Sequence, residues 1–312
     1  MTGLQIALIV IAGIVVIVLI ISFVFSSMVI HSARQKIYRS PKDFDMDFDE
    51  IKYKSTDGIE LEGWYIKGNS EIEKTVIMAH PWTFNRHGFS RKRQKLPLFK
   101  TDVNVLPMAK ALNEKGYSVL MFDFRNHGIS GKGLTGIGLT EYQGILGAVE
   151  YVNKRTENKA NVGFVSLCMG ANSTIIALSK GKDTETLNNV KFMVAVQPIS
   201  AEVFISNFMR AQYTSLSLFL VPIVNKICQM RGGFPFSEMS PKEYAKDIKV
   251  PAMYVQAETD PWTNLDDIKS FYENTPTEKE FWMLTGKMKR FDTYNYIGEH
   301  PQKILEFVGK YF

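Results

Sequence analysis

The stretch VGFVSLCMGANS, residues 162–173, joins a run of apolar residues to a tight turn of small residues. The run VGFVSL predicts a strand buried on both faces, because its apolar side chains are nearly continuous rather than alternating. The segment NSTIIALSK that follows predicts a helix. The residue at the tip of the turn between them is Cys168. Cys168 is therefore either a nucleophile held on a strand-to-helix turn or a small packing residue.

Apolar runs alternate with amphipathic stretches on both sides of this turn. Such alternation predicts a mostly parallel sheet with helices on both faces. Before it, two alternating runs around Asp57-Gly58 predict a β-hairpin over residues 49–68. The predicted strands are 74–80, 117–124, 162–167, 190–199, 250–258 and 279–286, and the predicted helices are 107–116, 140–155, 172–180, 265–274 and 301–312.

The amino-terminal stretch from Leu4 to Phe25 contains no charged side chain. As a helix it spans a hydrocarbon core of about 30 Å, which predicts a membrane anchor. A cleaved signal peptide is the competing interpretation, but it requires basic residues before a shorter apolar run. Here the basic residues follow the run, beginning with Arg34 and Lys36. This asymmetry predicts that the large domain faces the cytoplasm.

Changes in composition along the sequence divide the chain into an anchor (residues 1–30), a basic and polar linker (31–47) and a large domain (48–312). The 312 residues are 45% hydrophobic and carry a net charge of +5, which predicts a folded domain without a nucleic-acid-binding signature. Its two cysteines do not form a disulfide framework.

Between about 200 and 245 the alternation stops in a stretch rich in Phe, Met and Leu, which predicts an inserted helical cap.

Several motifs together resemble the α/β-hydrolase family, including cysteine-using members such as dienelactone hydrolase. They are the turn around Cys168, HPWTFNR (80–86), DFRNHGIS (123–130), TDP (259–261) and EHP (299–301). The likeness extends from about residue 50 to the end of the chain. It implies an α/β-hydrolase fold with a mostly parallel central sheet, helices on both faces and an inserted cap, preceded here by one transmembrane helix.

In that family the nucleophile is flanked, two residues away on each side, by small residues that a strained turn can accommodate. Centring the turn on Cys168 places Ser166 and Gly170 at those positions. Centring it on Ser166 would place the bulky Phe164 there, which makes Ser166 the weaker candidate. Cys168 is thus the predicted nucleophile, with cysteine in place of the family's serine.

The resemblance also implies an acid and a histidine that follow the nucleophile in the chain. His300 is the histidine that follows Cys168, and it stands just before the last predicted helix. Asp260 stands after the predicted strand 250–258, where the family places its acid, with Glu258 as the alternative. The implied triad is Cys168, Asp260 and His300.

The family's oxyanion hole uses the backbone N–H after the nucleophile and one from a loop after an early strand. By this mapping the donors are Met169 and Trp82, because Pro81 has no N–H. Thr83 is the alternative loop donor. In the DFRNHGIS segment, Asp123, Arg125 and His127 are expected to stabilise a loop through charge-assisted hydrogen bonds.

These assignments predict an enzyme that cleaves a carboxylic ester or thioester through an acyl-cysteine intermediate, without a metal or cofactor. The expected partners are a small-molecule or lipid-like acyl substrate and the bilayer, and no nucleic acid. An acyltransferase that uses the same intermediate and a non-catalytic binding protein are the alternatives. The basic stretch 86–100 is either a solvated loop or a contact for anionic head groups or anionic substrates. The cap is expected to cover an apolar acyl pocket with Phe204, Phe208, Leu218, Phe219 and Met230.

Overall fold

The structure, a computed structural model, describes residues 1–91 and 101–312; most of the basic stretch 86–100 lies outside the described residues. Within them, the predicted strands and the predicted hairpin are confirmed. The strands are β1 (Asp49–Lys54), β2 (Glu60–Ile66), β3 (Lys74–Ala79), β4 (Gly88–Phe89), β5 (Val103–Asn104), β6 (Ser118–Phe122), β7 (Asn161–Leu167), β8 (Val190–Val196), β9 (Ala252–Ala257) and β10 (Lys279–Leu284).

The central sheet has eight strands in the order β1-β2-β6-β3-β7-β8-β9-β10, and β4 and β5 form a separate antiparallel pair. β1 and β2 pair antiparallel with their neighbours, whereas the strands from β6 to β10 in that order are parallel. The carboxyl ends of the parallel strands therefore meet at one edge. Open α/β sheets bind ligands at this edge.

The helices cover both faces of the sheet, and the predicted ones are confirmed. One helix that the sequence pattern did not predict, α8, lies between the last strand and the last helix. The helices are α1 (Gly3–Ile30), α2 (Leu106–Glu114), α3 (Tyr142–Arg155), α4 (Met169–Lys180), α5 (Ala201–Gln212), α6 (Leu220–Met230), α7 (Leu265–Asn274), α8 (Arg290–Glu299) and α9 (Gln302–Tyr311).

Helix α4 follows Cys168 and lies in the centre of the molecule. All of its residues from Met169 to Ser179 are buried. The strand before it is equally buried, and Gly163 gives room for the ring of Phe192, since a Cβ there would lie 2.1 Å from the ring. The turn at Cys168 is thus fixed between two elements that cannot shift without disturbing the core.

Helix α1 is apolar along its whole length, with a mean hydropathy of 3.4 in its most apolar window, and it is long enough to cross a membrane. Most of it is exposed, but its last two turns pack against α6. Arg231, just after α6, donates to the hydroxyls of Ser26 and Ser27 at 2.7 Å each. The backbone of Ile30 accepts a hydrogen bond from Thr135. The end of α1 is therefore attached to the large domain.

Between β8 and β9 the chain leaves the sheet. It forms α5, a short 3-10 turn over residues 215–219, and α6. Cys228, on α6, is fully buried, and burial raises the pKa of its thiol to about 11. Cys228 is a packing residue, in agreement with its place far from any turn.

Candidate active site

Cys168 occupies the turn between β7 and α4 in a strained backbone conformation. Its φ of 53° and ψ of −116° place it in a region that side chains rarely adopt. Its N–H donates to the carbonyl of Val196 at the end of β8, at 2.9 Å. Such strain costs about 1–3 kcal/mol and persists only where the surrounding structure enforces it. The enforced turn is what the sequence pattern predicted at this residue.

The neighbours of Cys168 fit a turn centred on it rather than on Ser166. Gly170 leaves no room for a side chain, because a Cβ there would lie 2.4 Å from the carbonyl oxygen of Ala79. Ser166 lies within β7, is fully buried, and shares a hydrogen bond of 2.7 Å with the hydroxyl of Thr174. The hydroxyl of Ser166 is therefore engaged in the core, while Cys168 stands at the edge where the strands end.

Two backbone N–H groups near this turn lack hydrogen-bond partners among residues 1–91 and 101–312. They belong to Met169, the first residue of α4, and to Trp82, in the loop after β3. The N–H of Thr83, the alternative loop donor, instead donates to Nε2 of His127 at 3.2 Å. Thr83 also has a positive φ of 65°, so this loop shares the strain of the Cys168 turn. Met169 and Trp82 thus keep the N–H groups that an oxyanion hole requires.

Two buried histidines fix the loop that contains Trp82. Nδ1 of His80 lies 2.7 Å from the carbonyl of Pro81, and its Nε2 accepts the N–H of Phe124 at 3.0 Å. His127 is bonded in the same way, through Nδ1 to the carbonyl of Arg125 and through Nε2 to Thr83. Burial lowers the pKa of His80 to about 4 and that of His127 well below its usual value. Both rings are neutral and structural, since both of their nitrogens are occupied.

The DFRNHGIS segment is held by buried charges, as expected. Asp123 is paired with Arg86 at 2.8 Å, and both side chains are almost fully buried. Arg125 forms two hydrogen bonds of 2.8 Å with Asp57 of the hairpin. Two-point contacts of this kind fix orientation as well as distance. They attach the loops after β3 and β6 to the sheet.

Asp260 follows β9 and is buried, whereas Glu258, the alternative acid, is exposed. Its carboxylate accepts hydrogen bonds from the backbone of Trp262 at 3.1 Å and from the hydroxyl of Thr263 at 2.9 Å. The structure thus places Asp260 at the same sheet edge as Cys168.

The side chain that pairs with Asp260 is an arginine. Nη1 of Arg290 lies 2.6 Å from Oδ2 of Asp260, and its Nη2 donates to the carbonyl of Gln197 at 2.5 Å. Arg290 is only 2% exposed. Burial lowers the pKa of its guanidinium, but nearby Tyr294, Cys168 and Asp260 outweigh this and raise it above its ordinary value. A permanent positive charge therefore lies beside Cys168.

The structure does not bring His300 to this site. His300 ends α8, is exposed, and packs its ring against Tyr296 at a centroid distance of 4.5 Å. Arg290 begins the same helix, so His300 lies ten residues and about 15 Å along the axis from it. The cause is α8 itself, which separates the loop after β10 from EHP. No hydrogen bond or ion pair joins His300 to Asp260 in the part of the chain that the structure describes.

Tyr294, one turn along α8 from Arg290, also faces the site. Burial raises the pKa of its hydroxyl well above the usual value; Arg290 opposes this shift, and Cys168 and Asp260 add to it. Its hydroxyl makes no hydrogen bond of normal geometry within the described chain, and neither does Oε1 of Gln197. Buried polar atoms without partners are uncommon and call for a ligand or water. The site thus presents a neutral hydroxyl and an amide oxygen that a bound molecule could satisfy.

An apolar cavity lies beside the site, between the end of α1 and the cap. Its walls include Phe25, Met28, Trp82, Phe204, Phe208 and Val224. Of the residues predicted to line or cover an acyl pocket, Phe204 and Phe208 lie in the walls of this cavity. Leu218 is half-buried and is absent from the walls, while Phe219 and Met230 are 48% and 76% exposed and point to solvent or lipid instead. The cap contributes α5 to the cavity, and α1 contributes the opposite wall.

No family model matches this chain. The esterase Pf2001 of Pyrococcus furiosus is 23% identical to it, with a TM-score of 0.65 over 89% of this chain and 96% of its own. GrgF, an α/β hydrolase from Penicillium sp. sh18, is 18% identical, with a TM-score of 0.60 over 85% of this chain and 99% of its own. The acylaminoacyl peptidase of Pyrococcus horikoshii is 20% identical, with a TM-score of 0.58 over 86% of this chain and 42% of its own.

Among curated sequences, the uncharacterized protein YqkD of Bacillus subtilis is 22% identical over 227 residues, which are 72% of this chain and 68% of that protein. The three solved structures match 85–89% of this chain, with TM-scores of 0.58 to 0.65. The large domain of this chain therefore has the α/β-hydrolase fold, preceded by one helix long and apolar enough to span a membrane.

Proposed function

We propose that the protein is a membrane-anchored enzyme that accepts an acyl group from an ester or thioester onto Cys168. The observation that carries this proposal is the strained turn at Cys168, with the free N–H groups of Met169 and Trp82 beside it. A structural cysteine does not require a strained backbone, whereas a nucleophile presented to a substrate does. The esterases and the peptidase that share the fold make a hydrolase the first class to test.

In the proposed first step, the thiol of Cys168 loses its proton to solvent water, and the resulting thiolate forms a C–S bond with the carbonyl carbon of the substrate. The carbonyl oxygen becomes an oxyanion, and the N–H groups of Met169 and Trp82 donate to it. When the intermediate collapses, the bond to the leaving group breaks. A thioester's leaving group departs as a thiolate, so thiolate attack on it needs no proton donor. An alcohol leaving group must gain a proton. Thioesters are therefore the preferred donor class.

The pairing of Asp260 with Arg290, rather than with a histidine, changes the chemistry expected of the site. An arginine keeps its proton at any physiological pH and cannot act as a general base. It can stabilise negative charge on Cys168 or on the oxyanion, and Asp260 positions it through the buried ion pair. The resemblance implies proton transfer through His300, but His300 lies outside the site, and the ring nitrogens of His80 and His127 are bonded to the backbone. We assign to Asp260 and Arg290 a positioning and electrostatic role.

This arrangement favours acyl transfer as the second candidate function. Hydrolysis of an acyl-cysteine requires a base to remove a proton from the attacking water. An acceptor that ionises by itself, such as a small-molecule thiol, attacks the acyl-cysteine without that base. The acyl group then leaves Cys168 as a new thioester, and the sulfur returns to its starting form. Arg290 in place of a histidine is the observation that supports transfer over hydrolysis.

We also propose that α1 crosses the membrane and that the large domain faces the cytoplasm. The basic residues that follow α1, among them Arg34 and Lys36, support this orientation. Digestion of the large domain by a protease added outside intact cells would overturn it.

The test of the proposed function is acylation of the full-length protein in detergent by alkyne-tagged acyl thioesters. We expect Cys168→Ala to lose labelling and Cys168→Ser to lose nearly all of it, because an alcohol needs the missing base. Ser166→Ala is the matched control two residues away. It removes one hydrogen bond to Thr174, costs about 1 kcal/mol of stability and keeps labelling. Full labelling of a folded Cys168→Ala protein would refute the proposal.

Product analysis then separates the two candidate functions. In water alone, transfer predicts an acyl-cysteine that persists, and an added thiol should release it as a new thioester. Rapid release of the free acid, unaffected by thiols, would favour hydrolysis.

A further inference from the structure

The cavity between α1 and the cap joins the membrane-facing end of the molecule to the candidate site. The described walls are apolar and include Phe25 and Met28 from α1 and Val224 from α6. Trp82, whose N–H is a candidate oxyanion donor, is another wall residue. The indole Nε1 of Trp82 is buried without a hydrogen-bond partner among the described residues. One continuous apolar surface thus extends from the anchor to the oxyanion loop.

The inner end of this surface contacts the polar groups of the site directly. Phe204 lies 5.2 Å below the guanidinium of Arg290 and packs edge-on against Trp262 at 5.7 Å. The backbone of Trp262 donates to Asp260. The ring of Phe204 therefore forms the wall of the cavity on one side and packs under Arg290. The space beside Arg290 is where the carbonyl of an acyl chain would need to be.

The outer end of the cavity lies at the carboxyl end of α1, where the proposed membrane span ends. Arg231 bonds to Ser26 and Ser27 there, and its guanidinium lies 4.3 Å from the ring centroid of Phe23. Arginines that bond the ends of membrane helices mark the interface between hydrocarbon and water. Phe25 and Met28, the cavity residues of α1, lie within one turn of that level.

The cap also exposes apolar side chains next to α1. Tyr213 is 53% exposed, and its ring contacts Phe25 of the cavity at 5.8 Å. Leu216 and Phe219, in the short turn that follows, are 76% and 48% exposed. An exposed apolar patch of this kind is costly in water and favourable at a lipid surface. The patch is continuous with the lipid-exposed side of the anchor.

We propose that the acyl chain of a bilayer lipid reaches Cys168 through this cavity, with α1 as one wall of the binding site. The inference rests on the proposed function and names its substrate class: an acyl thioester or ester that resides in the membrane. The described wall residues present apolar surface to the cavity, which suits a hydrocarbon chain rather than a polar head group. The anchor is thus part of the site as well as a tether.

The cavity is narrow, about 40 Å³, little more than the ~30 Å³ share of one water molecule in the liquid. A long chain must therefore displace α6 and α5 from α1. In the described chain, the polar contacts between α6 and α1 lie near the carboxyl end of α6. There Arg231 bonds to Ser26 and Ser27, and the thiol of Cys228 donates to the carbonyl of Ser26. Val224, further towards the start of α6, is an apolar wall residue of the cavity. The cap can move by separating apolar surfaces that lipid can cover.

The test compares acylation of Cys168 by butanoyl and hexadecanoyl thioesters in phosphatidylcholine vesicles that contain the full chain. Met28→Trp fills the cavity, so the ratio of long-chain to short-chain labelling should fall about tenfold. Val24→Trp is the matched control, because Val24 is 53% exposed on the lipid side of the same helix. It should leave the ratio unchanged. Equal loss of both labels in Met28→Trp, or an unchanged ratio, would overturn the inference.

A second measurement is independent of catalysis. A photoreactive fatty acid is added to Cys168→Ala protein in the same vesicles, and the cross-linked peptides are identified. Cross-links within residues 25–29 and 204–224 support the site even if Cys168 is never acylated. Cross-links confined to the outer part of α1 would overturn it, whereas failure of thioester labelling alone would refute only the proposed function.

Discussion

The two halves of the candidate site are built in different ways. The nucleophile half, between β3 and β7, depends on backbone geometry: the strained turn at Cys168, the space at Gly170 and the N–H groups of Met169 and Trp82. The acid half, between β9 and α8, depends on one buried ion pair between Asp260 and Arg290. The first half is what the fold provides to any chain that adopts it. The second half is particular to the side chains of this one.

The difference shows which part of an active site can change without loss of the fold. A backbone turn between two buried elements cannot be altered by one substitution, because the core fixes it. A side chain after the last strand can be exchanged, provided that the charge of Asp260 is still satisfied. Arg290 meets this condition, since it neutralises the carboxylate and also donates to Gln197.

The largest expected effect on stability comes from breaking the ion pair between Asp260 and Arg290. Asp260→Asn leaves the guanidinium of Arg290 buried without a countercharge, and we expect the free energy of unfolding to fall by about 3–5 kcal/mol. Denaturant unfolding of the full chain in detergent measures it. The double variant Asp260→Leu/Arg290→Met removes both charges and should recover most of the loss. If Asp260→Asn cost less than about 1 kcal/mol, the pair would not be what holds this half together.

The same contrast explains how much the sequence could predict. Continuous apolar runs identified the strands, and the residue sizes around Cys168 identified the turn, because both are enforced by packing. Helix α8 was missed, since Tyr294, Asn295, Tyr296 and Gly298 are weak helix formers without clear periodicity. His300 does stand just before the last helix, as the sequence indicates, but α8 lies between it and β10.

Arg290 was missed for a related reason. It follows two lysines in the sequence KMKR, residues 287–290, and Lys287 and Lys289 are exposed. Only tertiary structure distinguishes the one buried cation among the three. The packing of α1 against α6 had no signal in the sequence, because an all-apolar helix shows no preferred face.

The oxyanion loop of the nucleophile half provides a pH-dependent test. His80 takes up a proton in the folded protein only near pH 4, whereas an unfolded histidine does so near pH 6.5. Between these values the unfolded state binds more protons, so stability falls as the pH is lowered. We expect a loss of about 3 kcal/mol from His80 by pH 4, with His127 adding in the same direction.

Unfolding free energies measured between pH 7 and pH 4 check this expectation. His80→Gln retains an acceptor for the N–H of Phe124 but does not titrate, so it should flatten the pH dependence. His31→Gln, at an exposed histidine, is the control and should not change it. A pH dependence that persists in His80→Gln would mean that other groups cause it.

The smallest expected effect on stability is that of His300→Ala. Together with Arg290→Lys, it tests whether His300 or Arg290 acts in the acid half of the site. His300 is exposed and meets only Tyr296 in ring contact, so His300→Ala should change stability by less than about 0.5 kcal/mol. It should also leave the rate of thioester labelling of Cys168 unchanged. Arg290→Lys keeps the charge but cannot hold both Asp260 and Gln197 in the same geometry, and labelling should slow about tenfold. Comparison of the two rates in folded proteins decides between them. Slow labelling in His300→Ala with a normal rate in Arg290→Lys would assign proton transfer to His300 and leave Arg290 a structural role.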